Sequence, residues 1–378
     1  MKKILVIGFL AICSTALCSC GKSAKQLNNT GIEYYNESEY EKAVDAFEQA
    51  VEKDQNGTAQ YTVNLGKAYA ELGNYEEAKN AFMAAYTDDK SSKEAQWGIG
   101  VASYFLGDYS TSMEYFGKVV ENISNYDEID LDSLQYYASL QTYYNDNAGA
   151  IDSYTVLIHK NYNTEQQYFL RGSIYAAQGM ENEAVLDYEE ALKTYGSEYE
   201  MYYNIYYNLH KAGFESRAVS YLRRALDVDG ADNLLKGKTY YIINDYENAV
   251  KFLSKAIDEG KQEAEFYLAM TYEKLGKSEE AVSMYETYLK NYPTDAGAYN
   301  QYGMYCLNKG DYESALGYFA AGLALGDSDA KRELMFNEAV CYEYLHQYET
   351  AYDKFGEYLK AYPKDEAAKH EYDFLSTR

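Results

Sequence analysis

The chain has 378 residues, with 60 acidic against 34 basic side chains and a formal net charge of −26. Such an excess of carboxylates excludes a phosphate-backbone partner, which needs Lys and Arg, so nucleic acid is not expected, nor is docking on anionic lipid. Tyrosine is the outlier, with 47 residues against only two prolines, so aromatic periodicity carries the fold signal.

Residues 1–19 read as a secretory signal peptide. Lys2 and Lys3 supply the basic start, residues 4–17 an apolar stretch too short for a flanked membrane span, and small residues follow. The end, Leu17-Cys18-Ser19-Cys20-Gly21, resembles a bacterial lipoprotein signal, with Leu three before a Cys and a small residue directly before it. The resemblance implies that Cys20 carries palmitate-type acyl chains and becomes the first mature residue. Cys13 and Cys18 fit the spacing less well. An acylated Cys20 would anchor the chain to a membrane from its extracytoplasmic face, at the cell surface or on the periplasmic side. Residues 20–29 then read as a lipid-anchored tether.

From there one motif returns ten times, a small residue followed four positions later by an aromatic or Leu. The pairs are Ala43/Phe47, Ala78/Phe82, Ser112/Phe116, Ala150/Tyr154, Ala184/Tyr188, Ala218/Leu222, Ala249/Leu253, Ala281/Tyr285, Ala315/Phe319 and Ala351/Phe355, spaced by 31 to 38 residues. A period of that length marks a stacked helical array. In the second unit Leu65, Ala68, Tyr69 and Leu72 keep the three-and-four spacing of an amphipathic helix. Gly73 with Asn74 ends it, and Ala78, Phe82 and Ala85 mark a second helix. The fourth unit departs from the pattern: Gln141 stands where the usual Tyr would be, and residues 122–132 are expected to absorb its extra length as a loop. Residues 230–263 form a compressed unit that keeps Gly237, Tyr240 and Ala249. Cys306 and Cys341 fall at nearly matching positions of adjacent units, where backbones usually stand too far apart for a disulfide, so two buried free thiols are expected. Residues 366–378 read as a polar helix capping the array.

These residues resemble the tetratricopeptide repeat. Leu65-Gly66, Tyr69, Ala78, Phe82 and Ala85 match its pattern, as do Gly31/Tyr34/Ala43/Phe47/Ala50 and Gly172/Tyr175/Ala184/Tyr188/Ala191. Pro293 and Pro363 fall where the family closes its second helix. The resemblance implies an all-α, right-handed superhelical solenoid of about ten helix-turn-helix units over residues 30–365. It also implies ligands on the surface made by successive first helices. Aligned on that basis, the ligand-binding groove would present Asn64, Lys67, Trp97, Tyr104, Tyr136, Tyr143, Tyr203, Asn204, Tyr207, Phe266 and Asn337, with Met270, Asn300 and Phe336 beside them. Asn64, Asn204 and Asn337 share one position, from which an amide can bond an extended peptide backbone while aromatics take side chains. The Lys/Asn/Arg set that grips a terminal carboxylate in some members is absent, since Asn28 and Ile32 occupy its first positions. Adjacent tyrosines such as Tyr136-Tyr137, Tyr143-Tyr144, Tyr202-Tyr203 and Tyr206-Tyr207 cannot both face one core, so one of each pair should reach groove or solvent. Ligand contact and use of Tyr wherever an aromatic fits both account for the surplus.

Chemistry beyond binding has little in its favour. His159, His210, His346 and His370 are scattered over different units, without metal-ligand pairing. Gly98-Ile99-Gly100 lies inside a first helix and lacks the strand and third glycine of a phosphate loop. No catalytic residue, metal or cofactor is expected. The expected work is that of a non-catalytic, membrane-anchored scaffold holding a protein or peptide partner, of basic character given the acidic field. A glycan-binding surface lipoprotein and a structural or assembly subunit of an envelope or secretion complex are the alternatives.

Overall fold

The computed structural model describes residues 22–54 and 57–378. The expected signal peptide and Cys20 lie outside the described residues. Among the described residues there are 21 α-helices and no strand. A first compact unit, ending at Tyr195, holds α1 (Ala24–Asn36), α2 (Tyr40–Lys53), α3 (Ala59–Glu71), α4 (Tyr75–Asp88), α5 (Lys93–Phe105), α6 (Tyr109–Glu121), α7 (Glu128–Tyr143), α8 (Asn147–His159), α9 (Thr164–Ala177) and α10 (Glu181–Tyr195). A second, starting at Gly196, holds α11 (Tyr199–Lys211), α12 (Glu215–Ala225), α13 (Asn233–Ile242), α14 (Tyr246–Asp258), α15 (Ala264–Lys274), α16 (Ser278–Asn291), α17 (Ala296–Asn308), α18 (Tyr312–Ala324), α19 (Lys331–Tyr344), α20 (Tyr348–Ala361) and α21 (Glu366–Leu375). Within each unit consecutive helices pack together, and first helices of successive repeats also touch, as α3 does α5 and α17 does α19.

The pairing rests on a small residue facing a large one. Phe47, Phe82 and Phe116 in the first unit, and Tyr285, Phe319 and Phe355 in the second, are at most 1% exposed. Truncating one such ring to Ala costs about 3–5 kcal/mol. A β-carbon on Gly31 would lie 2.5 Å from Phe47, and one on Gly100 2.8 Å from Phe116, so the helices approach too closely for a side chain there. Gly98 meets Phe82 in the same way, and helix packing accounts for both glycines of the Gly98-Ile99-Gly100 run. Four second helices start on Asp caps: Asp108, Asp146, Asp245 and Asp311 each accept a backbone N–H from the third residue onward.

Three expectations need correction. The tether expected over residues 20–29 is helical from Ala24, because Ser23 and Gln26 form a capping box and Leu27 and Asn28 are buried. The extra length of the fourth repeat is not all loop. Asp127 and Asp130 form a capping box that starts α7 at Glu128 and gives it 16 residues. Lys93 of α5 bonds both of these acids, reaching Asp130, only 1% exposed, at 2.9 Å. Gln141, buried in place of the usual Tyr, donates to Asp146 at 3.0 Å and accepts from the Ser153 hydroxyl at 2.8 Å, so its amide group is satisfied. Finally, α21 is not simply polar: it buries Ala368 and Leu375, and Tyr372 stacks on Tyr352 of α20 at 4.3 Å.

The compressed repeat shortens its first helix, α13, to 10 residues while α14 keeps 13, and α12 just before it has 11. Cys306 and Cys341 are free and buried, and burial pushes their thiols up to about 11 and about 12.

Candidate functional site

Three expected residues of the first unit converge. Asn64 and Lys67 lie one turn apart on α3, and Trp97 projects from α5. With Tyr35 of α1, Glu71 of α3, Glu128 and Asp132 of α7 and Tyr162, Lys67 and Trp97 line a hollow of 550 Å³. An adjoining hollow of 230 Å³ is lined by Ile32, Tyr35, Phe47, Asn64 and Lys67. Tyr35 and Lys67 belong to both, so the two form one stretch of groove across successive first helices.

Hydrogen bonds fix its walls. The Trp97 indole donates from Nε1 to Asp132 Oδ2 at 2.6 Å, and the Tyr162 hydroxyl donates to Asp132 Oδ1 at 3.4 Å. The Tyr35 hydroxyl donates to Glu71 Oε1 at 3.0 Å. Burial raises the Asp132 carboxyl above its ordinary value, and burial together with Glu71 raises the Tyr35 phenol. Lys67 is the lone cation among the lining residues, against the carboxylates of Glu71, Glu128 and Asp132. The arrangement can hold a peptide segment by aromatic contact, one ammonium donor and three acceptors.

The shared asparagine position behaves differently from expectation. Asn64 donates from Nδ2 to Asn28 Oδ1 at 2.9 Å, and Asn337 donates likewise to Asn300 at 2.9 Å. These amides link successive first helices, one hydrogen bond per junction, which leaves less of each for a ligand. Asn204 is exposed on α11.

The remaining aromatics divide. Tyr104 packs on Tyr136 at 5.1 Å and on Tyr109 at 5.5 Å, while Tyr136 stacks on the buried Phe116 at 5.0 Å. Tyr143, 61% exposed, meets Tyr109 at 4.8 Å. In the second unit Tyr203 and Tyr207 are exposed on α11, whereas Phe266 turns to Tyr288 at 5.2 Å and Tyr285 at 6.2 Å. In none of the four adjacent tyrosine pairs are both rings buried: Tyr202 is buried beside exposed Tyr203, Tyr206 is half-buried beside exposed Tyr207, Tyr143 and Tyr144 are both exposed, and Tyr136 and Tyr137 are both half-buried. Phe336 lines a further hollow of 500 Å³ with Glu343, Tyr344 and Phe374, where burial raises the Glu343 carboxyl.

Sequence reasoning missed Tyr35, Glu71, Glu128, Asp132 and Tyr162. Only their first-helix positions could have signalled four of them, and Tyr162 sits in the α8–α9 connection. Among the described residues, no three His, Cys, Asp or Glu side chains could together hold a metal ion. None of the helices of the described residues is long and apolar enough to cross a membrane.

Comparisons with known proteins bear on the whole array. Three family models described as tetratricopeptide repeat match: one at residues 28–78, 63–126 and 268–330, a second at 167–196 and 233–259, a third at 333–365. No curated protein matches the chain. Among solved structures, yeast Tom70 is 15% identical with a TM-score of 0.45, over 94% of this chain and 88% of that one. A tetratricopeptide repeat protein from Parabacteroides merdae is 15% identical with a TM-score of 0.47, over 66% and 99%. YrrB, described as having an unusual peptide-binding site, is 19% identical with a TM-score of 0.43, over 49% and 93%.

Proposed function

This chain belongs to the tetratricopeptide-repeat family, and from that premise we propose that it is a non-catalytic scaffold that holds a segment of a partner protein against its first helices. The observation that carries the reading is the pair of adjoining hollows in the first unit, walled by Tyr35, Lys67, Trp97 and Asp132. Trp97 and Tyr35 supply flat apolar contact, and Lys67 donates to a backbone carbonyl or an acidic side chain. Glu71, Glu128 and Asp132 favour a segment carrying Lys or Arg, in keeping with the net charge of −26. Tyr203, Asn204 and Tyr207 offer a second contact strip on α11. In the same reading, acylated Cys20 tethers the scaffold to the outer side of a membrane, on the support of the Leu17-to-Gly21 motif.

Trp97 is the only tryptophan, so its emission reports on the groove directly. Peptides that bind on an array should shift that emission on titration, with basic sequences ranking first. Lys67→Ala and Glu128→Gln should weaken them. Array binders that leave Trp97 silent, or variants that bind unchanged, would refute the groove assignment. For the anchor, fractionation decides: Cys20→Ala should move the protein out of the membrane pellet, and an unchanged distribution would sink the lipid tether.

A further inference from the structure

A hollow of 540 Å³ in the second unit lies away from the first-helix groove, between the second helices α14 and α16, with α15 as its floor. Its floor carries an acid. Aligned on the buried second-helix anchors Leu222, Leu253, Tyr285 and Phe319, the floor position carries Tyr202 in the repeat of α11, Asn233 in that of α13, Glu265 in α15 and Tyr299 in that of α17. Of these four residues only Glu265 is an acid, and it lies among the residues lining the hollow. Glu265 is 7% exposed. Its Oε2 accepts from Asn291 Nδ2 at 2.9 Å, while Oε1 receives no hydrogen bond from a described residue. Without a partner among the described residues, Oε1 keeps contact with the solvent of the hollow and is available as an acceptor to a donor that enters it.

The rest of the lining states what that donor should be. Ile257, Leu268 and Met284 make the walls apolar, and Asp258, Glu279 and Glu280 stand at the rim. None of these acids is ion-paired among the described residues, and the Lys277 ammonium sits over the Tyr272 ring at 5.6 Å. Apolar walls disfavour a hydrated metal ion, and no metal-holding group of side chains is formed among the described residues. A cationic head on an aliphatic stem satisfies both features. We propose that the hollow over Glu265 is a second binding site, selective for an alkylammonium or alkylguanidinium group. The head bonds Glu265 Oε1, the stem lies along Leu268 and Met284, and the rim acids draw it in.

Met284 makes the test direct, because full-length protein labelled at its methionine methyl groups gives a resonance inside the hollow. n-Butylguanidinium and n-butylammonium should shift that resonance saturably, and n-butanol should not. Glu265→Gln, which keeps an acceptor for Asn291, should weaken binding by about tenfold or more. Glu280→Gln, at the exposed rim, should weaken it by about two- to fivefold with no risk to the core. Lys67→Ala, in the first-helix groove, should change nothing, which separates this site from the proposed peptide groove. Binding by acetyl-Gly-Arg-Gly-amide at least as tight as that of n-butylguanidinium would assign the cation to a partner's side chain, and binding of the free cation alone to a small molecule. No Met284 shift with either cation, or equal affinity in wild type and Glu265→Gln, would overturn the proposal.

Discussion

Replacing Asp132 with Asn should retune Trp97 while leaving the first unit folded. The Asp132 carboxylate takes the indole N–H at 2.6 Å and the Tyr162 hydroxyl at 3.4 Å. A hydrogen bond to a charged group contributes about 1.5–3 kcal/mol and a neutral one about 0.5–1.5, so the amide should cost about 1 kcal/mol locally. Because burial raises the Asp132 carboxyl above its ordinary 3.8, the native chain holds a proton that the unfolded chain releases. This group's contribution to stability therefore falls as pH rises from 3.8 through the raised value, and Asp132→Asn gains on wild type across that window. The assay is Trp97 emission followed from about pH 3 to about pH 7, paired with amide hydrogen exchange in α5 and α7. Wild type should show an inflection above 3.8 that the variant lacks. An inflection at or below 3.8, or the same inflection in Asp132→Asn, would refute the wiring of the indole to this acid.

Gly31→Ala forces a methyl to within 2.5 Å of Phe47 and should cost about 1–3 kcal/mol, seen as lost exchange protection in α1 and α2. Asn28→Ala and Asn64→Ala, combined in a double-mutant cycle, should couple by about 0.5–1.5 kcal/mol; zero coupling would make the amide pair incidental. Cys306 and Cys341, with thiols pushed up to about 11 and about 12, should resist alkylation in the native protein and react once denaturant is added, as read by peptide mass spectrometry.

The array was legible because its signal is burial. A small residue four positions before a ring recurs only if that ring must fit between helices, and Ala78/Phe82 and Ala315/Phe319 do so. The start of α1 was hidden because its capping box, Ser23 with Gln26, is polar and sits in a stretch that also suits a tether. The early start of α7 was hidden for a similar reason: Asp127 and Asp130 read as loop residues until Lys93, from a different helix, neutralises both. In the groove, Asn64 and Lys67 could be aligned from the spacing of α3 alone. The acid that meets Trp97 could not, because Asp132 reaches it only through the register set by that early start.

The tyrosine surplus resolves into parts with different physics. At the second-helix anchor Tyr285 the hydroxyl donates to Glu273 at 3.0 Å, and Tyr358, one turn beyond the anchor Phe355, donates to Asp365 at 2.7 Å. A second group begins the second helices, directly after the cap, and meets an aromatic near the end of the next first helix. Tyr75 stacks on Phe105 at 4.7 Å, Tyr109 meets Tyr143 at 4.8 Å, and Tyr312 stacks on Tyr344 at 5.0 Å. These rings join one repeat to the next at the turn edge, so exposure alone does not mark a ligand contact: Tyr143 is more exposed than Tyr207. Tyr207, 55% exposed, has no ring contact among the described residues. Tyr109→Ala should therefore lower stability by about 0.5–1.5 kcal/mol beyond its lost area. Tyr207→Ala should stay within about 0.5 kcal/mol of wild type by denaturation and show its effect only in binding. Equal destabilisation by the two would mean that Tyr207 is structural as well, and would remove the α11 strip from the candidate site.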